Sequence, residues 1–377
     1  MNIEGIINLI AGGFLPITWQ NLVMISVGLG LIFLAISKEY EPVLLLPIGF
    51  GCVLANLGMA ATPEGNNFLS VLYRAGIESE LFPLLIFIGV GGMIDFSPLL
   101  SQPHLALLGA AGQFGIFGVF ILASLLGFSL NESASIGMIG AIDGPTAIFV
   151  AGKLAPPQML APIAVAAYSY MSLIPIIQPP LMKLLTTRKE RLIRMEYEPV
   201  PVSKQARIIF PIAVTIVISI LAPSAAPLIA ALMLGNLLRE SGVVDRLNKS
   251  AQNEIINIST LFLGLTIGGT MTAESFFNLD TLLILALGLL AFILDTVMGL
   301  IFGKLMSWLS GGKINPLIGA CGISAFPMAG RLSAKMAQNE DFENFILMHA
   351  MGANTAGQLG SVIAGGLLLT LVLLFGG

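Results

Sequence analysis

Ile139-Gly-Ala-Ile-Asp143-Gly-Pro-Thr146 returns in altered form as Ile318-Gly-Ala-Cys-Gly-Ile-Ser324-Ala325, and the echo runs on from Ala151-Gly-Lys-Leu154 to Ala329-Gly-Arg-Leu332. A second pair, Gly89-Val-Gly-Gly-Met93 and Thr266-Ile-Gly-Gly-Thr-Met271, precedes each copy by about 50 residues at nearly the same offset, roughly 178 residues. Both copies lie in apolar sequence of membrane-spanning length. The chain therefore reads as two related halves, each with one helix interrupted by Gly, Pro and polar residues. Paired interruptions of this kind point to a binding site at the interface of two repeats.

The composition agrees. Of 377 residues 56% are hydrophobic and 10% charged, and the mean hydropathy is +0.93, whereas a soluble domain carries about 25% charged residues. Charge-free stretches such as Leu105–Asn131, Leu154–Met182, Ile208–Leu238 and Ala350–Gly377 each exceed the roughly 20 residues a helix needs to cross a bilayer. The expected fold is an all-α polytopic membrane protein of two repeats, read as inverted, whose interrupted helices meet at a mid-membrane ion site. Residues 1–82 are read as N-terminal anchor spans and 83–182 as the first repeat, broken around Asp143. Then come a basic cytoplasmic loop at 183–207, connecting spans at 208–255, and a second repeat at 256–377 broken around Asn315–Arg331. The longer apolar segments, 281–309 and 343–375 among them, are expected to be divided, and Met351-Gly-Ala-Asn354-Thr-Ala-Gly357 reads as a third interruption.

A net charge of −4 without a basic patch excludes nucleic acid as a partner. The start, with Glu4 and no basic n-region, does not read as a cleaved signal peptide. Two cysteines, Cys52 and Cys321, and two histidines, His104 and His349, fall short of a zinc site, and no disulfide is expected. Seven of the seventeen Lys and Arg residues fall in Lys183–Arg207, which places that loop in the cytoplasm; it is a topology determinant or a docking surface. Gly109, Gly112, Gly115 and Gly118 form a stripe suited to close helix approach.

Asp143 is the residue that most demands chemistry. A carboxylate inside an apolar span is costly unless it is paired, protonated or ligating. With Gly144 and Pro145 beside it, free carbonyls and the hydroxyl of Thr146 complete an oxygen set suited to a hard cation; a plain helix cap is the simpler alternative. Opposite it, Asn315 and Ser324 offer neutral oxygens, a set that suits a monovalent ion bound and released, unless they only satisfy backbone groups freed at Pro316 and Pro327. Arg331 is suited to a bidentate pair with a carboxylated ligand, and Lys153 to snorkelling. Tyr168 and Tyr170 lie within a span, where one hydroxyl could pass a proton. Asn354 is a further amide ligand or marks a helix break. Asp95 is expected to cap the element at Ser97-Pro98. Asp295 reads as truly intramembrane, with no partner evident.

Together, Gly-Ala-Ile-Asp143-Gly-Pro-Thr, Ala-Tyr-Ser-Tyr170 with Gln178-Pro-Pro180, Lys313-Ile-Asn315-Pro-Leu-Ile-Gly319 running to Arg331, and Met348-His-Ala-Met-Gly352 resemble the β subunit of the biotin-dependent sodium-translocating decarboxylases, over essentially the whole chain. Members act on oxaloacetate, methylmalonyl-CoA, glutaconyl-CoA or malonate. The resemblance implies a multi-pass protein of the bacterial or archaeal inner membrane that decarboxylates carboxybiotin, exports Na+ and consumes a proton. Its implied partners are a carboxyltransferase α subunit, a biotinyl carrier protein or domain and a small one-span γ/δ subunit, with a homo-oligomer, a trimer for instance, as the assembly. Carried over by position, Asp143 is the sodium and proton residue and Tyr170 a proton participant. Asn315, Gly319, Ser324 and Arg331 match the second functional segment, in which Asn315, Gly319 and Arg331 would meet carboxybiotin. Asp143, Asn315, Ser324 and Asn354 would meet Na+. One departure stands out: relatives often carry Gly-Gly-Ala-Asp where this chain has Gly-Ala-Ile-Asp, so a bulkier residue precedes the acid. The short region at 62–82 favours an acyl-CoA decarboxylase. The rival from another class is a secondary Na+/H+ antiporter or Na+-coupled carboxylate transporter, which needs the same broken helices and no enzyme chemistry.

Overall fold

The computed structural model describes residues 17–39, 42–196, 201–276 and 278–375; the expectation placed on Glu4 falls outside them. Among the described residues the regular secondary structure is all helical, with no strands. The principal helices are α1 (Trp19–Ser37), α2 (Pro42–Leu54), α3 (Leu81–Met93), α4 (Ala106–Ala111), α5 (Phe114–Leu125), α6 (Leu130–Gly137) and α7 (Gly144–Leu154). They continue as α8 (Pro157–Leu185), α9 (Lys204–Leu221), α10 (Ala226–Ser241), α11 (Ile256–Thr270), α12 (Leu279–Leu309), α13 (Met328–Glu340) and α14 (Leu347–Phe375). Six helices among these residues are long and apolar enough to cross a membrane, and two bent pairs add up to two more. One bent pair is α8, which turns by 61° between Met171 and Leu173; Pro175 lies just beyond, and its missing N–H removes a bond of the helical ladder there.

Two expectations about breaks do not hold. Helix α12 runs for 31 residues and α14 for 29 without division, so the supposed interruption at Met351–Gly357 is continuous helix. Gly357 serves close packing instead: a Cβ there would meet the carbonyl of Gly322. The glycine stripe does serve packing, but on a kinked pair, because α4 ends at Ala111 and α5 begins at Phe114. A Cβ at Gly109 would strike Ala356, and one at Gly112 would strike Gly322.

The frame around the interrupted segments is built from helix crossings without side chains between them. Helix α2 lies on α11 where Gly51 faces the Leu265 carbonyl and Gly268 faces that of Ile48. Helix α3 lies on α10 in the same manner, through Gly91 and Gly235. In a bilayer, where burying apolar surface against a neighbour gains little over lipid, such contact area is a main source of helix association.

Each interrupted segment has the same local plan. A 3₁₀ turn, Met138–Ala141 or Pro316–Cys321, gives way to irregular backbone and then to a helix, α7 or α13. The two irregular stretches touch, with the Ser324 N–H donating to the Ala141 carbonyl at 3.4 Å. Helix α7 ends beside the start of α8, where Lys153 pairs with Glu80 at 2.6 Å. Helix α13 ends beside the far end of α8, where Glu340 meets Arg191 at 2.8 Å.

Candidate functional site: a cavity beside Asp143 at the seam of two broken segments

The break before α7 is built around its capping residue. Asp143 is extended and accepts the Thr146 N–H at 3.4 Å and the Thr146 hydroxyl at 2.7 Å, satisfying donors that the first helical turn leaves open. Pro145, in that first turn, has no N–H to satisfy. The carboxylate therefore does cap the helix, but its second oxygen also accepts the side-chain amide of Gln358 on α14 at 2.8 Å. Only 7% of Asp143 is exposed. Its neighbour Gly144 is obligatory for space, since a Cβ there would enter the ring of Tyr168.

Ile142 occupies the left-handed region at φ 53°, a conformation disfavoured by about 1–2 kcal/mol for a residue with a Cβ. Its side chain is fully buried in a cluster with Phe292 of α12 and with Ile323, Ala325 and Ala329 of the second broken segment. The bulk of Ile142 before the acid thus fills the seam between the two segments.

A cavity of about 210 Å³ opens at this seam, walled by Asp143, Ser324, Gln358, Tyr168 and Thr260 together with apolar side chains of α2 and α3. Carboxylate, hydroxyl and amide oxygens are a hard donor set of the kind sodium takes. Its single acid matches a monovalent ion. Among the described residues no cluster of three or more His, Cys, Asp or Glu side chains is placed to hold a metal.

Of the other anticipated residues, Asn354, Gly319, Tyr170, Arg331 and Asn315 do not line this cavity. Asn354 bridges the second break from both sides: its amide nitrogen donates to the Ile323 carbonyl at 2.7 Å, and its oxygen accepts the Gly330 N–H at 3.4 Å. Ser324 itself donates to the Gly357 carbonyl at 3.1 Å. Gly319 lies where α12 crosses the second 3₁₀ turn, against Gly299. The Tyr170 hydroxyl donates to the Leu285 carbonyl at 2.5 Å, while Tyr168, two residues earlier, faces Asp143. Arg331 is exposed on α13.

Asn315 lies away from the cavity. Its amide nitrogen donates to the carbonyls of Arg191 and Ile193 at 3.0 and 2.8 Å, and Asn344 donates to the same two carbonyls at 3.0 and 3.2 Å. These bonds hold the basic segment after α8 against the second repeat. Ion pairs of Arg191 with Glu340 and of Arg194 with Asp341 and Glu343 reinforce them. Several charges of the basic loop, read as a topology determinant or a docking surface, are thus committed within the chain. Asp95 does not cap the helix Ser97–Ser101, whose capping position is Phe96; it accepts the Ser97 N–H at 2.9 Å from one residue earlier and pairs with Arg239 at 3.5 Å.

Gln358 and Thr260 were not anticipated. Gln358 follows Asn354 by one helical turn, so the two share a face of α14, and that spacing was a readable signal. Thr260 carried none, since a hydroxyl in a helix commonly satisfies itself on the preceding turn.

The model of the family described as the Na+-transporting oxaloacetate decarboxylase beta subunit matches residues 20–372. The chain belongs to this family. The methylmalonyl-CoA decarboxylase subunit beta of Veillonella parvula is 52% identical over 370 residues, 98% of this chain and 97% of that one. The glutaconyl-CoA decarboxylase subunit beta of Acidaminococcus fermentans is 52% identical over 96% of this chain and 95% of its own. The oxaloacetate decarboxylase beta chain of Klebsiella pneumoniae is 45% identical over 93% and 95%. The relatives are thus decarboxylase β subunits rather than free-standing transporters. Membership in this sodium-transporting decarboxylase family brings sodium and biotin-based chemistry, a multisubunit complex and a multi-pass place in the bacterial membrane.

Proposed function

We propose that the cavity beside Asp143 is where Na+ and a proton exchange while carboxybiotin loses CO2. The observation that carries this reading is the meeting of Asp143 and Ser324, one from each broken segment, in one cavity whose otherwise apolar walls also carry the oxygens of Gln358, Tyr168 and Thr260. A proton or a sodium ion each neutralises the carboxylate, and binding of one excludes the other. Thr146 and Gln358 fix its rotamer, so that the same oxygens are presented to either ion. Asn354 holds the Ser324 loop in place, and Tyr168 closes one wall.

Arg331 is exposed at the start of α13, the helix whose far end is tied to the basic cytoplasmic segment, and we assign it to the N-carboxylate of carboxybiotin arriving on a biotinyl carrier. In decarboxylation the C–N bond breaks, its electron pair returns to the ureido nitrogen, CO2 leaves, and that nitrogen takes a proton. The proton is the one displaced from Asp143 by sodium. Asn315, Gly319 and Tyr170 act on this reading by shaping and anchoring the segments; their contacts are to backbone. The opposite ends reached by α7 and α13 along α8 support an inverted relation of the two repeats. The higher identity to the acyl-CoA decarboxylase subunits and the short 62–82 region favour that branch. A carboxyltransferase α subunit, a small one-span subunit and a homo-oligomeric assembly complete the complex we envisage.

The test is sodium-dependent CO2 release from free carboxybiotin by the purified, reconstituted chain. Activity lost on Arg331→Ala and on Asp143→Asn, in protein that still assembles, is the expected result. Sodium movement without any carboxybiotin turnover would restore the transporter reading.

A further inference from the structure

Asp295 is the second acid deep in this protein, and the exchange at Asp143 does not use it. It sits midway along α12 and is fully buried. One carboxyl oxygen accepts the backbone N–H of Gly115 at the start of α5. The other has no hydrogen-bond partner. It faces the 3₁₀ turn that precedes Asp143: a Cβ built on Gly140 would lie 3.1 Å from this oxygen, and one built on Gly115 would lie 2.7 Å from its mate. Two glycines thus make a niche that fits a carboxyl group and admits no side chain of their own.

The niche holds no charge to balance a carboxylate. The elements packed on α12 are α4, α5, α6, α8 and the two 3₁₀ turns. Their ionisable groups are Glu132, Tyr168, Tyr170, Lys183 and Cys321, with Asp280 and Lys304 on α12 itself. Glu132 caps α6 through Ser129, Tyr170 is bonded to Leu285, Lys183 is exposed, and Lys304 pairs with Glu190 at 3.3 Å. An unpaired charge in such a place costs several kcal/mol, whereas a neutral carboxyl costs far less. The neutral form also carries an O–H, for which the carbonyl four residues back in the helix is the standard acceptor.

We propose that Asp295 is a second proton-binding site, a carboxyl that keeps its proton throughout the cycle and, as a neutral hydrogen-bonding group, braces the turn leading to Asp143 against α5 and α12. Its consequence is a division of labour between two intramembrane acids, Asp295 facing Gly140 three residues before Asp143: Asp143 changes partner, and Asp295 keeps the turn beneath it fixed while adding no competing charge. Sodium then meets one negative group and not two.

Infrared spectroscopy reads this directly, in protein that need not turn over and so independently of the assignment of function. At neutral pH the difference spectrum between the unchanged protein and Asp295→Asn is expected to show loss of a protonated-acid carbonyl band that shifts in D2O. Loss of carboxylate bands alone would overturn the proposal. In Asp143→Asn, where residue 295 is untouched, the same band is expected to persist and to ignore added sodium; its absence, or its disappearance on adding sodium, would also overturn it. Asn keeps the acceptor for Gly115 and supplies a donor, so Asp295→Asn is expected to keep sodium-dependent CO2 release within about threefold and its half-saturating sodium unchanged. An assembled but inactive Asp295→Asn protein would mean that this carboxyl exchanges its proton, contrary to the proposal.

Discussion

At the scale of single residues, the geometry around Asp143 separates groups that shape the ion site from groups that shape the backbone. Gln358 belongs to the first kind, because its amide donates directly to the carboxylate at 2.8 Å. A hydrogen bond to a charged group contributes about 1.5–3 kcal/mol, so Gln358→Leu should raise half-saturating sodium roughly ten- to a hundredfold. Measuring the sodium dependence of CO2 release in that variant decides it, and an unchanged curve would remove Gln358 from the site. Asp143 and Ser324 were legible in the sequence because an acid, glycines and prolines inside an apolar stretch are a local signal. Gln358 was harder to see, since an amide on an unbroken helix leaves no mark on the backbone. Tyr170 stood out beside Tyr168 only through resemblance; which of the two rings faces the acid depends on the rotation of α8, which the residue types do not fix.

Among the elements, the seam depends on three glycines, Gly112, Gly322 and Gly357, that let α4, the second broken segment and α14 meet backbone to backbone. A Cβ on Gly322 would run into the carbonyl of Leu108. Overpacking of this kind costs about 1–3 kcal/mol. Gly322→Ala should therefore lower the melting temperature in detergent and impair sodium-dependent activity, whereas Gly30→Ala, with nothing within 4 Å of the added atom, should change neither. Equal behaviour of the two variants would contradict the packing account. The same glycines explain why the third interruption was misread. Gly352 and Gly357 resemble a helix break in sequence, yet one faces Pro98 and Leu105 and the other Gly322, so they mark close approach in a continuous helix. Both broken segments, by contrast, pair glycine with proline, which removes donors as well as side chains, and the ladder does end there.

For the whole molecule, the two broken segments and their helices are fastened through the basic segment after α8 as well as at the cavity. Hydrogen bonding to Arg191 holds the Glu340 carboxyl below its ordinary range, and hydrogen bonding to Arg194 does the same for Asp341. A lowered value in the folded protein means a contribution fully present above the ordinary carboxylate value, about 4, and lost only as pH falls through the lowered one. The hydrogen-exchange protection of residues 186–194, corrected for the intrinsic pH dependence of amide exchange, should accordingly stay constant from alkaline to mildly acid solution and fall only on stronger acidification. High salt should loosen the exposed Arg194 pairs before the more buried Arg191 pair. Loosening near neutral pH would show that other groups hold the clasp. The sequence displayed the basic run; its partners, Glu340, Asp341 and Glu343, lie about 150 residues away and were visible only once the chain was folded. The central claim concerns the cavity that both halves share, and equilibrium binding of radioactive sodium to the purified protein tests it most directly. The unchanged protein should bind sodium saturably and lose it to protons as the solution is acidified, while assembled Asp143→Asn should bind none. Sodium binding by Asp143→Asn equal to that of the unchanged protein would contradict the account.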